Sequence, residues 1–156
     1  MIDIQNLEWH PLTKVDDVPQ LVLDWLVDDL SLTAKLKEKF SDFSVRVIEQ
    51  SIRTPFANES DAIDFNHNAV IREVELIGDG SVVVFARSVI PQTPDTEELL
   101  RIGSRPLGEV LFNDSSIQRG QLEVTQAQGI WGRRSIFYVG KTKLLVCEFF
   151  FEALYA

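Results

Sequence analysis

The sequence predicts an α+β fold, in which helices cover one antiparallel sheet of about six strands. Apolar residues near the N-terminus recur at the three- and four-residue spacing of helices, whereas from Ser44 onward they alternate with a period of two. Short glycine-containing turns separate several of these alternating segments, and such hairpins make neighbouring strands antiparallel. The chain has 156 residues, 45% of them hydrophobic, so we expect residues 1–156 to form a single domain.

Two helices are predicted before the sheet begins. The first starts near Pro19 and carries Trp25 and Leu26 on its apolar face. Ser31 is a suitable N-cap for the second, in which Leu32, Leu36 and Phe40 recur at a spacing of four. These apolar stripes indicate that both helices pack against the sheet.

Six strands follow. They share a two-residue alternation and occupy residues 44–52, 69–77, 81–90, 120–127, 133–139 and 143–151. Turns at residues 78–80 and 140–141 join two pairs of them as hairpins. Short helices are predicted at 95–102 and 106–112. Residues 53–68 form the longest irregular stretch, which is typical of a functional cover or of a mobile loop.

The charge balance excludes some classes of partner. The formal net charge is -9, with 24 acidic and 15 basic residues, so binding to nucleic acid or to an anionic membrane surface is not expected. No apolar run approaches the roughly 20 residues that span a bilayer. Residues 1–12 do not resemble a secretory signal, and we expect a cytoplasmic location.

Metal and nucleophile chemistry are not indicated either. Cys147 is the single cysteine and lies in an apolar run, so we expect it to be a small, buried hydrophobic side chain. His10 and His67 are far apart and lack further ligands at metal-binding spacing. His67 could act as a general base, but a solvated loop histidine is the simpler interpretation. We therefore predict no metal and no cofactor.

Two charged residues stand on apolar strand faces. In residues 70–76, Arg72 shares a face with Val70 and Val74, whereas the glutamates occupy the other. In residues 144–150, Glu148 lies in a strand that is apolar on both sides. One interpretation is a structural Arg–Glu pair or a side chain that emerges at the sheet edge. The other is an internal ligand cavity, in which Arg72 grips a carboxylate and Glu148 binds a hydroxyl or moves a proton.

Three more arginines are candidates for the same site. Arg87 is in phase with apolar neighbours of its strand, and one of Arg133 and Arg134 must face inward because they are consecutive. Surface or sheet-end salt bridges are the alternative for each of them. The pattern thus predicts a buried anion site and does not name the ligand.

The same segments resemble the chorismate lyase family. They carry the motifs DWLVDDLSLTAKL (24–36), VIREVEL (70–76), VFARSVIP (84–91), RPLGEVLF (105–112), GIWGRRS (129–135) and LLVCEFF (144–150). The resemblance runs from about Asp24 to the C-terminus, with the motifs in the family's order. GIWGRRS followed by a strand that carries the glutamate is its most specific part.

The resemblance implies functional residues at matching positions. Arg72 matches the arginine that binds the ring carboxylate, and Glu148 matches the glutamate near the ligand's hydroxyl. Leu107 matches a backbone contact, with Gly108 beside it. Leu32 matches a position at the start of the second helix where many members have methionine, and a leucine there is an apolar change of similar size. As a separate hypothesis from the chemistry of a dianionic ligand, we expect Arg87 or Arg134 to meet the enolpyruvyl carboxylate.

The implied activity is removal of pyruvate from chorismate, which leaves 4-hydroxybenzoate for ubiquinone biosynthesis. The resemblance implies a monomer with an internal site, no metal and no cofactor, and a product that stays bound until covering segments open. Residues 53–68 or the region near Leu32 would form such a cover. Two alternatives stay open: an effector-binding module related to transcriptional regulators, and a family member that binds 4-hydroxybenzoate without catalysis.

Overall fold

A computed structural model describes residues 3–27 and 31–156 and shows the predicted α+β class. The strands are β1 (His10–Pro11), β2 (Phe43–Arg53), β3 (Ala69–Gly78), β4 (Ser81–Ile90), β5 (Gln118–Arg119), β6 (Glu123–Ala127), β7 (Ile130–Val139) and β8 (Thr142–Phe150). The α-helices are α1 (Gln20–Leu26), α2 (Leu32–Lys39), α3 (Ala57–Ile63) and α4 (Leu107–Asn113). None of the helices in these described ranges is long and apolar enough to cross a bilayer.

The strands form one sheet in the order β1-β6-β7-β8-β4-β3-β2, with β5 paired to β7. All described pairings are antiparallel. Both predicted hairpins are present: β3 turns into β4 after Gly78, and β7 turns into β8 at Gly140, which has a φ of +59°. This order makes β4 and β8 central, and it brings β3 and β7 to either side of them.

Helices α1, α2 and α4 cover one face of the sheet, called here the near face. Leu26 and Leu36 are fully buried against Val74 and Phe150, and Leu111 packs on the part of the sheet around Val146. Burying each such leucine contributes about 1.5–3 kcal/mol. The Ser31 hydroxyl accepts a hydrogen bond from the Ala34 amide, so the predicted N-cap of α2 is confirmed.

The opposite face, called here the far face, is covered by α3 and by residues near the N-terminus. Ile63 of α3 packs with Ile71, Cys147 and Phe149, and Trp9 packs against the same group. Cys147 is 4% exposed, which confirms its interpretation as a small buried side chain. Because both faces are covered, the central strands are apolar on both sides, and their alternation is weaker than in a sheet with one wet face.

Two details of the sequence prediction are wrong, and the number of strands differs slightly. The stretch 53–68, predicted to be irregular, contains the helix α3. Glu59 stabilises this helix, because it accepts a hydrogen bond from the Phe56 amide and forms a buried ion pair with Arg87 of the sheet. The ion pair is a long-range contact that the local sequence does not reveal. The predicted helix at 95–102 is two short 3₁₀ turns, Pro94–Thr96 and Leu99–Arg101. The described residues form eight strands where about six were expected, a minor difference that arises because β1 and β5 are two-residue strands without a detectable period.

Candidate functional site

A pocket lies between the near face of the sheet and the helices α2 and α4. Its floor comes from β3, β4, β7 and β8, and its cover comes from the N-terminal turns of the two helices. Its charged and polar lining consists of Thr33, Arg72, Ser88, Arg119, Arg133 and Glu148. Apolar side chains, among them Val74, Leu111, Phe137 and Val146, fill the space between them. Such a lining, apolar with a few polar groups, is typical of a small-molecule site.

Arg72 is buried at the pocket, with 2% of its surface exposed. Its Nη1 donates to the Gln50 side-chain oxygen and to the Gly103 carbonyl, both at 2.9 Å. Its Nη2 donates to the Arg105 carbonyl at 2.9 Å, and its buried Nε has no partner among the described residues. An arginine has five N–H donors, so Nε–H and one Nη2–H remain available. These two groups can lie along one edge of the guanidinium, where they match a carboxylate.

The partners of Arg72 are neutral. In the described part of the chain no carboxylate lies within ion-pair distance of it, whereas the other buried arginines, Arg87, Arg133 and Arg134, each have at least one. Burial lowers the pKa of Arg72 from its ordinary value, since desolvation disfavours the charged form. A buried cation that lacks a counter-charge favours an anionic ligand at this position.

Glu148 lies in the same pocket and is paired with Arg133. The Arg133 Nε donates to Glu148 Oε1 at 2.9 Å, and the glutamate side chain is 15% exposed. The Arg133 Nη1 donates to the carbonyls of Trp25 and Leu26 at 3.0 and 3.2 Å, which are the last residues of α1. Arg133 therefore orients Glu148 and also caps the C-terminal end of a covering helix.

The apolar candidates lie on the cover of the pocket. Leu32 is the first residue of α2, and Leu107 and Gly108 begin α4. An ion pair joins the two helices, since the Lys37 Nζ lies 3.0 Å from Glu109 Oε2 on the exposed surface. The structure thus brings together Leu32, Arg72, Leu107, Gly108 and Glu148. Part of the motif at 24–36, residues 28–30, lies outside the described residues.

Two expected site residues do not line the pocket. Arg87 lies on the far face, where it pairs with Glu59 and Glu73. Arg134 lies on the same side, paired with Glu123 and stacked on the Trp9 ring at 4.8 Å. Since consecutive strand residues face opposite sides, Arg133 is the member of its pair that reaches the pocket.

The position of Arg133 opposite Glu148 could have been predicted from the hairpin. Counting outward from the turn at Gly140 along the β7–β8 hairpin places Arg133 directly opposite Glu148. Ser88 was also missed, although it is opposite Arg72 in the register of β3 and β4. Arg119 could not be found in this way, because it lies on the two-residue strand β5.

Known proteins are similar to this chain over nearly its whole length. A sequence profile of the family described as Chorismate lyase matches residues 3–156. A protein of Pseudomonas fluorescens (strain Pf0-1) named Probable chorismate pyruvate-lyase 2 is 36% identical, over 94% of this chain and 90% of its own length. A protein named Probable chorismate pyruvate-lyase from Azoarcus sp. (strain BH72) is 38% identical, over 83% of this chain and 83% of its own length. Another of the same name, from Psychromonas ingrahamii, is 35% identical, over 97% of this chain and 96% of its own length.

Proposed function

This chain belongs to the chorismate lyase family, and we propose that it is a chorismate pyruvate-lyase, which converts chorismate into 4-hydroxybenzoate and pyruvate. The observation that carries the proposal is Arg72, a buried arginine without a carboxylate partner among the described residues, with Nε and one Nη2 hydrogen directed to no described partner. A ring carboxylate supplies both the missing charge and the two missing acceptors.

The ligand's other end is assigned to Glu148. With the ring carboxylate at Arg72, the opposite hydroxyl of the same ring reaches toward Glu148, which lines the same pocket. The apolar side chains between the two charges, such as Val74 and Val146, suit the faces of a flat ring. One positive and one negative residue at opposite ends would fix the orientation of the substrate.

The reaction is an internal elimination and consumes no water or oxidant. The C4–H bond breaks and its electron pair forms the last double bond of the aromatic ring, while the C3–O bond breaks and enolpyruvate leaves. The leaving group then gains a proton on its methylene carbon and becomes pyruvate. Since aromatisation drives the reaction, positioning and charge stabilisation can supply most of the catalysis.

Arg133 takes the role that the sequence had assigned to Arg87 or Arg134. The C4 hydroxyl and the C3 ether are neighbours on the ring, so a ligand with its hydroxyl at Glu148 brings the enolpyruvyl group close to Arg133. The contacts of Arg133 with described residues use Nε and Nη1, and Nη2 is assigned to the leaving carboxylate. Arg119, which lines the pocket and donates to the Ser135 hydroxyl, adds a second cation.

The remaining parts of the proposal rest on family membership. We assign the product to ubiquinone biosynthesis in the cytoplasm and treat residues 1–156 as one monomeric domain that needs neither metal nor cofactor. Product retention is assigned to α2 and α4, whose first turns cover the pocket.

The direct test mixes the purified protein with chorismate in the absence of added metal or cofactor. We expect 4-hydroxybenzoate and pyruvate to appear in equal amounts, measured by chromatography and by a coupled lactate dehydrogenase assay. Saturable binding of 4-hydroxybenzoate without formation of pyruvate would instead support a non-catalytic binding module. Absence of both binding and turnover would contradict the proposal.

Replacing Glu148 by glutamine tests the hydroxyl end of the site. The amide keeps the size of the side chain but removes the negative charge, so kcat should fall about a hundredfold while 4-hydroxybenzoate still binds. Steady-state kinetics and calorimetry measure the two effects. As a control, the exposed Glu97→Gln should leave kcat unchanged. Unchanged turnover in E148Q would remove Glu148 from the mechanism.

The ion pair between α2 and α4 should slow release of the product. Lys37→Glu places two negative charges together, and we expect 4-hydroxybenzoate to dissociate about two- to fivefold faster, since exposed pairs contribute up to about 1 kcal/mol. The double exchange of Lys37→Glu with Glu109→Lys should restore the slow rate. Stopped-flow fluorescence measures the dissociation rate. Equal rates in the wild type, the single variant and the double variant would show that this ion pair does not slow product release.

A further inference from the structure

Ser88 lines the pocket, and its hydroxyl has no hydrogen-bond partner among the described residues. The buried serines and threonines of the described residues are Thr33, Ser88, Thr96, Thr125, Ser135 and Thr142. Four of these hydroxyls have hydrogen-bond partners within the chain: those of Thr96, Thr125, Ser135 and Thr142. Thr33 and Ser88 have no such partner in the described part of the structure, and both line the pocket. A polar side chain that lines a pocket and has no partner within the protein is available to a ligand, so these two residues are candidates for ligand contacts.

Ser88 is the stronger candidate of the two. Thr33 lies on α2, in the cover of the pocket, and is not on a strand next to Arg72. Ser88 lies in the middle of β4 and is 3% exposed. Its cross-strand neighbours are Arg72 on β3 and Val146 on β8, so its side chain lies beside the arginine.

The register places Ser88 beside the free edge of Arg72. Residues directly opposite each other in an antiparallel pair have Cβ atoms about 4.5–5.5 Å apart, on the same face of the sheet. The Nη1 hydrogens of Arg72 are used by Gln50 and Gly103, which leaves Nε, the atom nearest to the strand, for the ligand. A carboxylate held at that edge therefore lies within reach of the β4 side chain opposite.

We infer that Ser88 is a further substrate-binding residue, whose hydroxyl donates to the ring carboxylate that Arg72 holds. The inference rests on the proposed function, and it identifies a determinant of specificity for the carboxylate. A carboxylate has about four lone-pair positions, so it accepts the two arginine hydrogens and still takes a third donor. The pocket would thus discriminate against rings that carry a methyl group at the same position.

The test compares ligands with and without the carboxylate. Calorimetry and competition NMR measure the binding of 4-hydroxybenzoate and of 4-methylphenol, which keeps the phenol but offers no acceptor at the carboxylate end. Ser88→Ala should weaken binding of 4-hydroxybenzoate about tenfold to a hundredfold, the usual effect of a lost hydrogen bond to a charged group. Binding of 4-methylphenol should change less than twofold, because its methyl group makes no bond to the serine.

Two further variants separate the hydroxyl from changes in packing. The side chains in Ser88→Thr and Ser88→Val have nearly the same shape, but threonine has a hydroxyl where valine has a methyl group. The Ser88→Thr variant should therefore bind 4-hydroxybenzoate at least tenfold more tightly than the Ser88→Val variant. Ser51→Ala, on the neighbouring strand β2 and opposite the far-face residue Ile71, is the control and should bind like the wild type.

The outcomes distinguish this inference from the proposed function. If the wild type binds 4-hydroxybenzoate and both Ser88→Ala and Ser88→Val bind it equally well, the role of Ser88 is refuted and the proposed function stands. Equal weakening of both ligands in Ser88→Ala would also refute it, since the effect would then be one of pocket shape. A wild type that binds no 4-hydroxybenzoate would refute the proposed function and the inference together.

Discussion

Replacing Arg72 by alanine should lower kcat/KM for chorismate about a thousandfold or more and abolish measurable binding of 4-hydroxybenzoate. The arginine is 2% exposed and lacks a carboxylate partner in the described part of the chain. Loss of a buried charged donor from a polar site generally costs a factor of about 100 to 1,000, and here the ligand's own charge would also be left buried without a partner. Steady-state kinetics with chorismate measure the effect directly.

A second variant shows whether activity depends on the several hydrogen bonds of the guanidinium or on its positive charge alone. Arg72→Lys keeps a cation but supplies a single ammonium group, which cannot serve Gln50, the carbonyls of Gly103 and Arg105, and a ligand at once. We expect it to recover less than a tenth of the wild-type activity. Arg46→Ala is the control, because Arg46 is exposed on β2 and pairs with Glu75. Wild-type activity in R72A would refute the assignment of the site.

The positions of Arg72 and Glu148 on apolar strands could be predicted because alternation along a strand reports which residues share a face. VIREVEL sets the two glutamates on one side and Arg72 on the other, and the structure places Arg72 on the covered near face. Alternation does not report which of two covered faces holds the pocket. For that reason Arg87 and Arg134 were assigned to the ligand, although their partners lie on the far face.

The pairing of Arg87 could not be predicted from local sequence. Its partner Glu59 is 28 residues away and lies on α3, a seven-residue helix in a stretch rich in asparagine and aspartate. Isolated helices of that length are unstable in water, so α3 depends on its contact with the sheet. The pattern within one segment does not indicate which distant segment it contacts, so the pairing of Glu59 with Arg87 could not be predicted.

Removal of the Glu59 carboxylate should therefore destabilise the fold more than any exposed charge does. Glu59 accepts two hydrogen bonds from Arg87, at 2.7 and 2.9 Å, and both side chains are at most 4% exposed. Burial by itself lowers the pKa of Arg87, but the carboxylates of Glu59 and Glu73 outweigh it and raise the pKa, so the arginine stays charged. Breaking such a pair from one side generally costs about 3–5 kcal/mol.

We expect Glu59→Ala to lower the free energy of unfolding by about 3–5 kcal/mol, measured by urea denaturation followed by circular dichroism. Glu97→Ala is the matched control, because its pair with Arg101 is exposed and should contribute at most about 0.5 kcal/mol. Activity provides the second measurement. Since Arg87 lies on the far face, folded E59A at low temperature should keep kcat within about threefold of the wild type. A stable E59A protein that has lost its activity would instead return Arg87 to the catalytic site.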